Sequence, residues 1–277
     1  MENLSFILNI YILYVILAML VSVIMPYFRK KKYFKESTLS VLNQSYQNLE
    51  LIIIYDDYKF DDLEFINKVK ELDIRIKLII NNSNIGAGLS RNKGINISKG
   101  TYIAFLDGDD IWEKNKLSDQ IKFMQKNNYQ ITHTSYEIIN EEGKKIGDRI
   151  AKLMNYEKLI KSCDVGLSSV ILKKSLLSEN LNFPNLKTKE DFVLWLKITK
   201  NGENIYALNK NLLKWRKSKN SLSSSIVRKL IDGYCVYRYH LNFGLFKSFL
   251  ALFVLSINFL KFAKSLSETS RSLTDNF

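Results

Sequence analysis

The segment Thr101-Tyr-Ile-Ala-Phe-Leu-Asp-Gly-Asp-Asp110 runs an apolar stretch straight into three carboxylates around one glycine. Residues 102–106 read as a short, fully buried strand, aromatic and β-branched without polar interruption. A strand of this kind that ends in Asp107, Asp109 and Asp110 sets crowded negative charge at the edge where open α/β sheets bind ligands. Such charges repel unless a cation neutralises them. Hard carboxylate oxygens suit Mg²⁺ or Mn²⁺, which would in turn hold a diphosphate. A solvated Asp-Gly turn would account for one or two of these acids, and three directly after a buried strand favour the metal reading.

A second strand, Leu51-Ile-Ile-Ile-Tyr55, ends in Asp56-Asp57. A carboxylate there can accept a hydrogen bond from a nucleobase imide or ribose hydroxyls; the alternative is that Asp56 caps a turn. Between the acidic ends lies Asn84-Ile-Gly-Ala-Gly-Leu-Ser-Arg-Asn-Lys-Gly94, read as a tight turn opening a helix with Arg91 and Asn92 one turn inside. A helix N-terminus with an arginine suits an anion or nucleobase, although the glycines fit neither a Rossmann nor a Walker spacing. Glu190-Asp191, by residue type alone, are first-turn helix acids favoured by the dipole. His133 and His240 are isolated and read as neither ligand nor base.

The elements that position these groups alternate. Strands are expected at Leu20–Met25, stopping at Pro26, and at Leu49–Tyr55, Ile74–Ile80 and the Tyr102 segment. Helices are expected at Tyr33–Asn43, Asp61–Leu72 and Gly88–Ser98. Strand–helix–strand units of this length imply a mostly parallel sheet covered on both faces. Beyond them come a strand at Ile131–Ile139 entering the turn at Asn140–Gly143, helices at 155–161, 189–200 and 223–240, and short strands near 167–172 and 204–215.

With 277 residues the chain can bury one substantial core and carry appended helices. A hydrophobic share of 46% marks it as globular, and 2 prolines with 11 glycines leave no room for low-complexity linkers. Cys163 and Cys235 match no metal or redox spacing and read as buried free thiols. The net charge of +13 invites nucleic acid, an anionic membrane or anionic substrates as partners. No zinc-finger, helix-turn-helix or RNA-recognition signature accompanies the scattered lysines, so nucleic acid is excluded as the expected partner. An AT-rich genome raises lysine content without any partner.

Taken together, Val21-Ser-Val-Ile-Met-Pro-Tyr-Phe28, Ile52-Ile-Ile-Tyr-Asp-Asp57, Asn84-Ile-Gly through Gly94, Gly100 through Asp110, and Lys189-Glu-Asp191 before Phe-Val-Leu-Trp-Leu-Lys197 resemble the family 2 glycosyltransferases, in that family's order and over roughly residues 20–216. The resemblance implies a GT-A fold, an α/β domain with a mostly parallel central sheet flanked by helices. It implies inverting, metal-dependent sugar transfer from a nucleoside diphosphate sugar, UDP-linked by expectation, to a glycan or lipid-linked acceptor hydroxyl. By the same resemblance Asp57 contacts the base with Asp56 in support, and Pro26 and Arg91 lie beside the nucleotide. Asp107 and Asp109 form the D-x-D element, with Asp109 on the metal and Asp107 on ribose or metal. Asp191 matches the general base. Trp195 reads as core, and Trp215-Arg216 matches an aromatic-arginine pair ahead of the serine-rich segment Ser218 to Ser225. Tyr58-Lys59 departs from the usual Gly-Ser or Asn-Ser, and Gly108 stands where serine is more usual, a change expected to be tolerated. A nucleotidyltransferase would share the sheet and acids but would carry a glycine-rich loop after the first strand, which Pro26-Tyr-Phe-Arg-Lys30 lacks. A non-catalytic partner subunit of the same fold is the other alternative, against which the intact acids argue.

The expected organisation is an apolar extension at 1–18, a transferase domain at 19–220 and C-terminal helices at 221–277. Residues 4–18 fall short of the ~20 that a spanning helix needs and lack a basic flank before them, so Met19 is the expected sufficient start. Leu245–Lys264, rich in Phe and Leu and flanked by lysines, has an uninterrupted apolar core too short to span. It reads as a helix lying in an anionic leaflet at the inner face of the cytoplasmic membrane, with a helix packed on the domain itself as the near alternative.

Overall fold

A computed structural model describes residues 19–218 and 226–274 of the chain. The apolar run at 1–18 and residues 219–225 of the serine-rich segment lie outside the described residues. Nine strands form one mixed sheet: β1 (Val21–Tyr27), β2 (Leu49–Tyr55), β3 (Ile76–Ile80), β4 (Tyr102–Phe105), β5 (Ile111–Trp112), β6 (Ile131–Ile139), β7 (Lys145–Arg149), β8 (Ile171–Lys173) and β9 (Tyr206–Arg216). Their order is β3-β2-β1-β4-β8-β6-β9-β5, with β7 paired to β6. The first four strands are parallel, β8 turns the sheet antiparallel, and β9 runs parallel to β6. This is the α/β arrangement of a GT-A fold, as the motif order implies.

Helices α1 (Lys31–Leu42), α2 (Leu63–Lys70), α3 (Ala87–Ile97) and α4 (Lys116–Asn127) cover the sheet, followed by α5 (Tyr156–Leu159), α6 (Glu190–Lys200), α7 (Ile226–Cys235) and α8 (Leu245–Thr274). Because side chains alternate along a strand, β1 sends Val21, Val23, Met25 and Tyr27 into one core layer and Ile24 into the other. β2 divides likewise, with Leu51 and Ile53 against Ile52 and Ile54. A sheet buried on both faces explains why these strands read as continuous apolar runs.

β1 continues through Pro26 to Tyr27 instead of stopping before the proline. Its pairing with β4 ends at Ile24–Phe105, so Pro26 sits where only the β2 side is paired and its missing N–H costs no ladder bond. The sequence reading also passed over α4, whose buried stripe of Leu117, Ile121 and Met124 is interspersed with lysine and glutamine.

Helix α3 lies close on the sheet at Gly94, where an added Cβ would come within 2.6 Å of Ile24 Cγ2 and 3.1 Å of Ile54 Cδ1. Both isoleucines are fully buried and cannot retreat. We expect Gly94→Ala to lower stability by about 1–3 kcal/mol through overpacking, despite alanine's better helix propensity. Urea denaturation measures this, and an unchanged midpoint would contradict the close approach.

The C-terminal helix does two things at once. Ser248 and Leu255 are buried against the domain, Phe262 stacks under the Arg149 guanidinium, and Asn258 Nδ2 donates to the Lys161 carbonyl. Phe246, Phe249, Leu250, Phe253 and Leu260 are exposed on the opposite side. The serines do not interrupt it, since Ser248 and Ser256 donate to the Gly244 and Leu252 carbonyls one turn back. The apolar stretch is therefore longer than its sequence suggests. Among the described residues, Leu245–Lys264, with mean hydropathy 1.7, is long and apolar enough by length and composition to cross a membrane.

Candidate active site

The strand order reverses at β1, because β2 lies on one side of it and β4 on the other. Such a switch point opens a crevice at the carboxyl ends of the strands. The ends of β1, β2 and β4 bring Arg29-Lys30, Asp56-Asp57 and Asp107-Gly-Asp109 to this edge. The β1–α1 turn splits its two cations between the two acidic strand ends. Arg29 Nε donates to Asp57 Oδ2 at 2.7 Å, and Lys30 Nζ to Asp109 Oδ2 at 2.5 Å.

Asp56 is buried and spent on structure. Its Oδ1 accepts from Asn81 Nδ2 and the Ile85 N–H, and its Oδ2 from the Gly86 N–H. It holds the turn that starts α3, so it reaches a ligand only through that loop. Asp57 lies beside it, also buried, and the Arg29 guanidinium holds its carboxyl below the usual carboxylate range.

Arg91 is buried and bridges two acids. Nη2 donates to Asp107 Oδ1 at 2.8 Å and Nη1 to Glu190 Oε1 at 2.6 Å. This bridge needs α3 and α6 to meet, and Gly88 permits it: a Cβ there would stand 2.9 Å from the Pro184 carbonyl and 3.1 Å from Glu190 Cγ. Asp191 follows Glu190 in the chain, and its Oδ1 accepts from the Phe192 N–H at 2.7 Å. Burial and the neighbouring Glu190 charge push the Asp191 carboxyl up to about 7, with Arg91 and the Phe192 N–H opposing.

Asp107 and Asp109 differ from Asp110. Asp107 is more than a third exposed, with Arg91 on one oxygen, while Asp109 is more enclosed, and burial raises its carboxyl despite Lys30. Asp110 is fully enclosed, accepting from Ser168 Oγ at 2.6 Å and the Arg216 N–H at 2.9 Å, and burial drives its carboxyl well up. It ties the loop to β9 and the Leu167–Ser169 turn and is no candidate ligand. Arg216 clamps the same loop from behind, donating to the Asp109 carbonyl and Glu36 over the Tyr33 ring. At Gly108 a Cβ would stand 3.0 Å from the Phe34 ring, so that ring fills the space a serine would take.

Two hard carboxylates at the crevice mouth fit Mg²⁺ or Mn²⁺, which commonly take one or two protein carboxylates and leave the rest to water and phosphate. Among the described residues no group of three or more His, Cys, Asp or Glu is set to hold a metal, so a cation held by these two would need further oxygens from solvent or a bound ligand. Trp195 is core. His133 is buried with Nε2 on the Lys152 carbonyl, and its pKa is lowered to about 4 by burial, so it serves neither role. Both cysteines are free and half-buried. Pro26 is half-buried at the strand end. The residues missed by sequence reasoning are Arg29, Lys30, Glu190 and Ser168. The first two follow directly on a strand that ends at the switch point, a signal available in the sequence.

The chain matches the Glycosyl transferase family 2 model over residues 22–179. It is 41% identical to the UDP-Glc:alpha-D-GlcNAc-diphosphoundecaprenol beta-1,3-glucosyltransferase WfgD of Escherichia coli over 76% of this chain and 82% of WfgD. It is 36% identical to WfaP of the same organism, which carries the same activity name, over 76% of this chain and 83% of WfaP. Among solved structures, S. aureus TarS 1–349 in complex with UDP-GlcNAc superposes with a TM-score of 0.67 at 24% identity. That match covers 80% of this chain, which spans 65% of the TarS chain. The protein belongs to glycosyl transferase family 2 and is a glycosyltransferase.

Proposed function

We propose that this glycosyltransferase moves a sugar from a UDP-sugar, with inversion, to a hydroxyl of a lipid-linked glycan acceptor. The setting is surface polysaccharide, lipopolysaccharide or capsule assembly at the inner face of the cytoplasmic membrane. The observation that carries the reading is Asp191. Its carboxyl is raised to about 7 and lies within the charge field of the Glu190–Arg91–Asp107 bridge, its own hydrogen bond coming from the Phe192 N–H. A general base works best with a pKa near the operating pH. Asp191 takes the acceptor proton, Asp57 and Arg91 serve the nucleotide, and Asp109 with Asp107 would hold the divalent cation. The cation supplies charge neutralisation of the departing diphosphate. Support for the donor and acceptor comes from WfgD and WfaP, named for UDP-Glc and a diphosphoundecaprenol-linked GlcNAc. Transfer from an α-linked UDP-glucose to a β linkage is inversion. The test is Asp191→Asn, which should lower the chemical rate sharply while donor binding holds.

The membrane contact rests on the outer face of α8. Phe246, Phe249, Leu250 and Phe253, beside Val227, Leu230 and Ile231 of α7, form an exposed apolar surface. Lys229 and Lys247 stand over Phe259 and Phe243, beside that face. An apolar face framed by lysines fits an anionic leaflet. Removing α8 entirely would uncover Leu255 and its neighbours, so substitution of exposed residues is the cleaner test. Replacing Phe246 and Phe253 together by serine should leave the melting temperature unchanged, and Phe249 is kept because it packs on the Tyr234 ring. Binding to phosphatidylglycerol vesicles in a sedimentation assay should fall at least tenfold. Undiminished vesicle binding would assign the contact elsewhere.

A further inference from the structure

Arg29 holds a backbone conformation that only short polar residues and glycine adopt readily, with φ at 51°. An arginine kept there by its surroundings points to a task for its side chain. The side chain forks onto Asp57, Nε to Oδ2 at 2.7 Å and Nη2 to Oδ1 at 3.2 Å, and the Lys59 N–H also reaches Oδ1 at 3.2 Å. Asp57 is 1% exposed and the Arg29 side chain 45%, with its guanidinium 4.9 Å from the Phe28 ring centre. A ligand approaching Asp57 therefore meets the two residues together, as an acceptor and a donor side by side.

We propose that Arg29 is a base-specificity residue that makes the Asp57 carboxylate select an imide base, uracil or thymine, over guanine. The inference rests on the proposed nucleotide-sugar reading and goes beyond it to one residue. A bare carboxylate suits guanine best, because two adjacent donors, N1–H and N2–H, meet its two oxygens. Uracil offers a single donor, N3–H, between two carbonyl oxygens, and one of those oxygens would face the second carboxylate oxygen and be repelled. With Arg29 across both carboxylate oxygens, guanine can still set N1–H and O6 against the pair, but its N2 amino group loses the carboxylate oxygen it would otherwise bond, whereas uracil leaves no donor unmet. The guanidinium meanwhile supplies the donor that a uracil carbonyl needs. Lysine at this position would keep the charge and lose the planar fork.

The experiment is calorimetric titration of wild type, Arg29→Ala and Arg29→Lys with UDP and with GDP, in Mn²⁺ buffer, with melting curves to verify folding. Wild type should bind UDP at least tenfold tighter than GDP. Arg29→Ala should lose about tenfold or more in UDP affinity, the worth of a charge-assisted hydrogen bond, while GDP affinity stays within threefold or improves. Arg29→Lys should fall between the two and stay folded if the alanine variant does not. Equal losses for UDP and GDP, or a UDP affinity unchanged in both variants, would overturn the role of Arg29. Failure of wild type to bind UDP would instead sink the donor reading on which the inference depends.

Discussion

Asp191→Asn is expected to lower kcat by about 10²–10⁴, the usual worth of a general base, while donor affinity barely changes. The carboxyl would face the acceptor, while Glu190 and Arg91 form the bridge to Asp107. The pH profile carries the same claim with a definite sign. The carboxyl is raised from 3.8 to about 7, by burial first and by the Glu190 charge second. Arg91 and the Phe192 N–H pull it down, the Asp107 charge pushes it up, and Cys163 and Lys189 stand nearby, the thiol itself pushed up to about 12 by burial. Only the deprotonated form accepts a proton. Activity should therefore rise tenfold per pH unit below about 7 and level off above it, and the Asn variant should lose this limb. A variant with normal turnover and weakened UDP-sugar binding would make Asp191 a donor ligand instead.

Asp109→Asn is expected to lower turnover by about 10³-fold or more, because it would remove a hard ligand from the proposed divalent cation. The fold should persist, since Asp109 is bound by Lys30 at the crevice and not built into the core. Lys30 already pairs with this carboxylate at 2.5 Å, so a divalent cation there would have to compete with an ammonium group. Turnover of wild type should accordingly need added Mg²⁺ or Mn²⁺ and vanish in excess chelator. Full activity in chelator would show that Lys30, and not a metal, answers the diphosphate.

Much of this site was legible because a buried parallel strand leaves a plain signature. An unbroken apolar run that stops at acids, as at Phe105-Leu106-Asp107 and Ile54-Tyr55-Asp56, marks a strand end and a site together. The hidden parts depend on contacts across the fold. Asp56, Asp57 and Asp110 are alike in sequence, yet one holds a turn, one pairs with Arg29 and one is sealed under Ser168 and Arg216. Local pattern carries no trace of those partners. In sequence Arg29 and Lys30 mark only the lack of a glycine loop, and their significance comes from the reversal of strand order at β1. Glu190 read as an ordinary helix-start acid because its partner Arg91 is 99 residues away. The reach of the C-terminal helix was underestimated because Ser248 and Ser256 look polar in sequence but bond to their own helix.

The most direct test follows nucleotide release by purified protein given UDP-glucose, Mn²⁺ and a diphospholipid-linked GlcNAc acceptor. UDP release should depend on the acceptor, with a β-linked product by proton NMR. Release of UDP without acceptor, an α-linked product, or formation of UMP with a sugar phosphate would contradict inverting transfer.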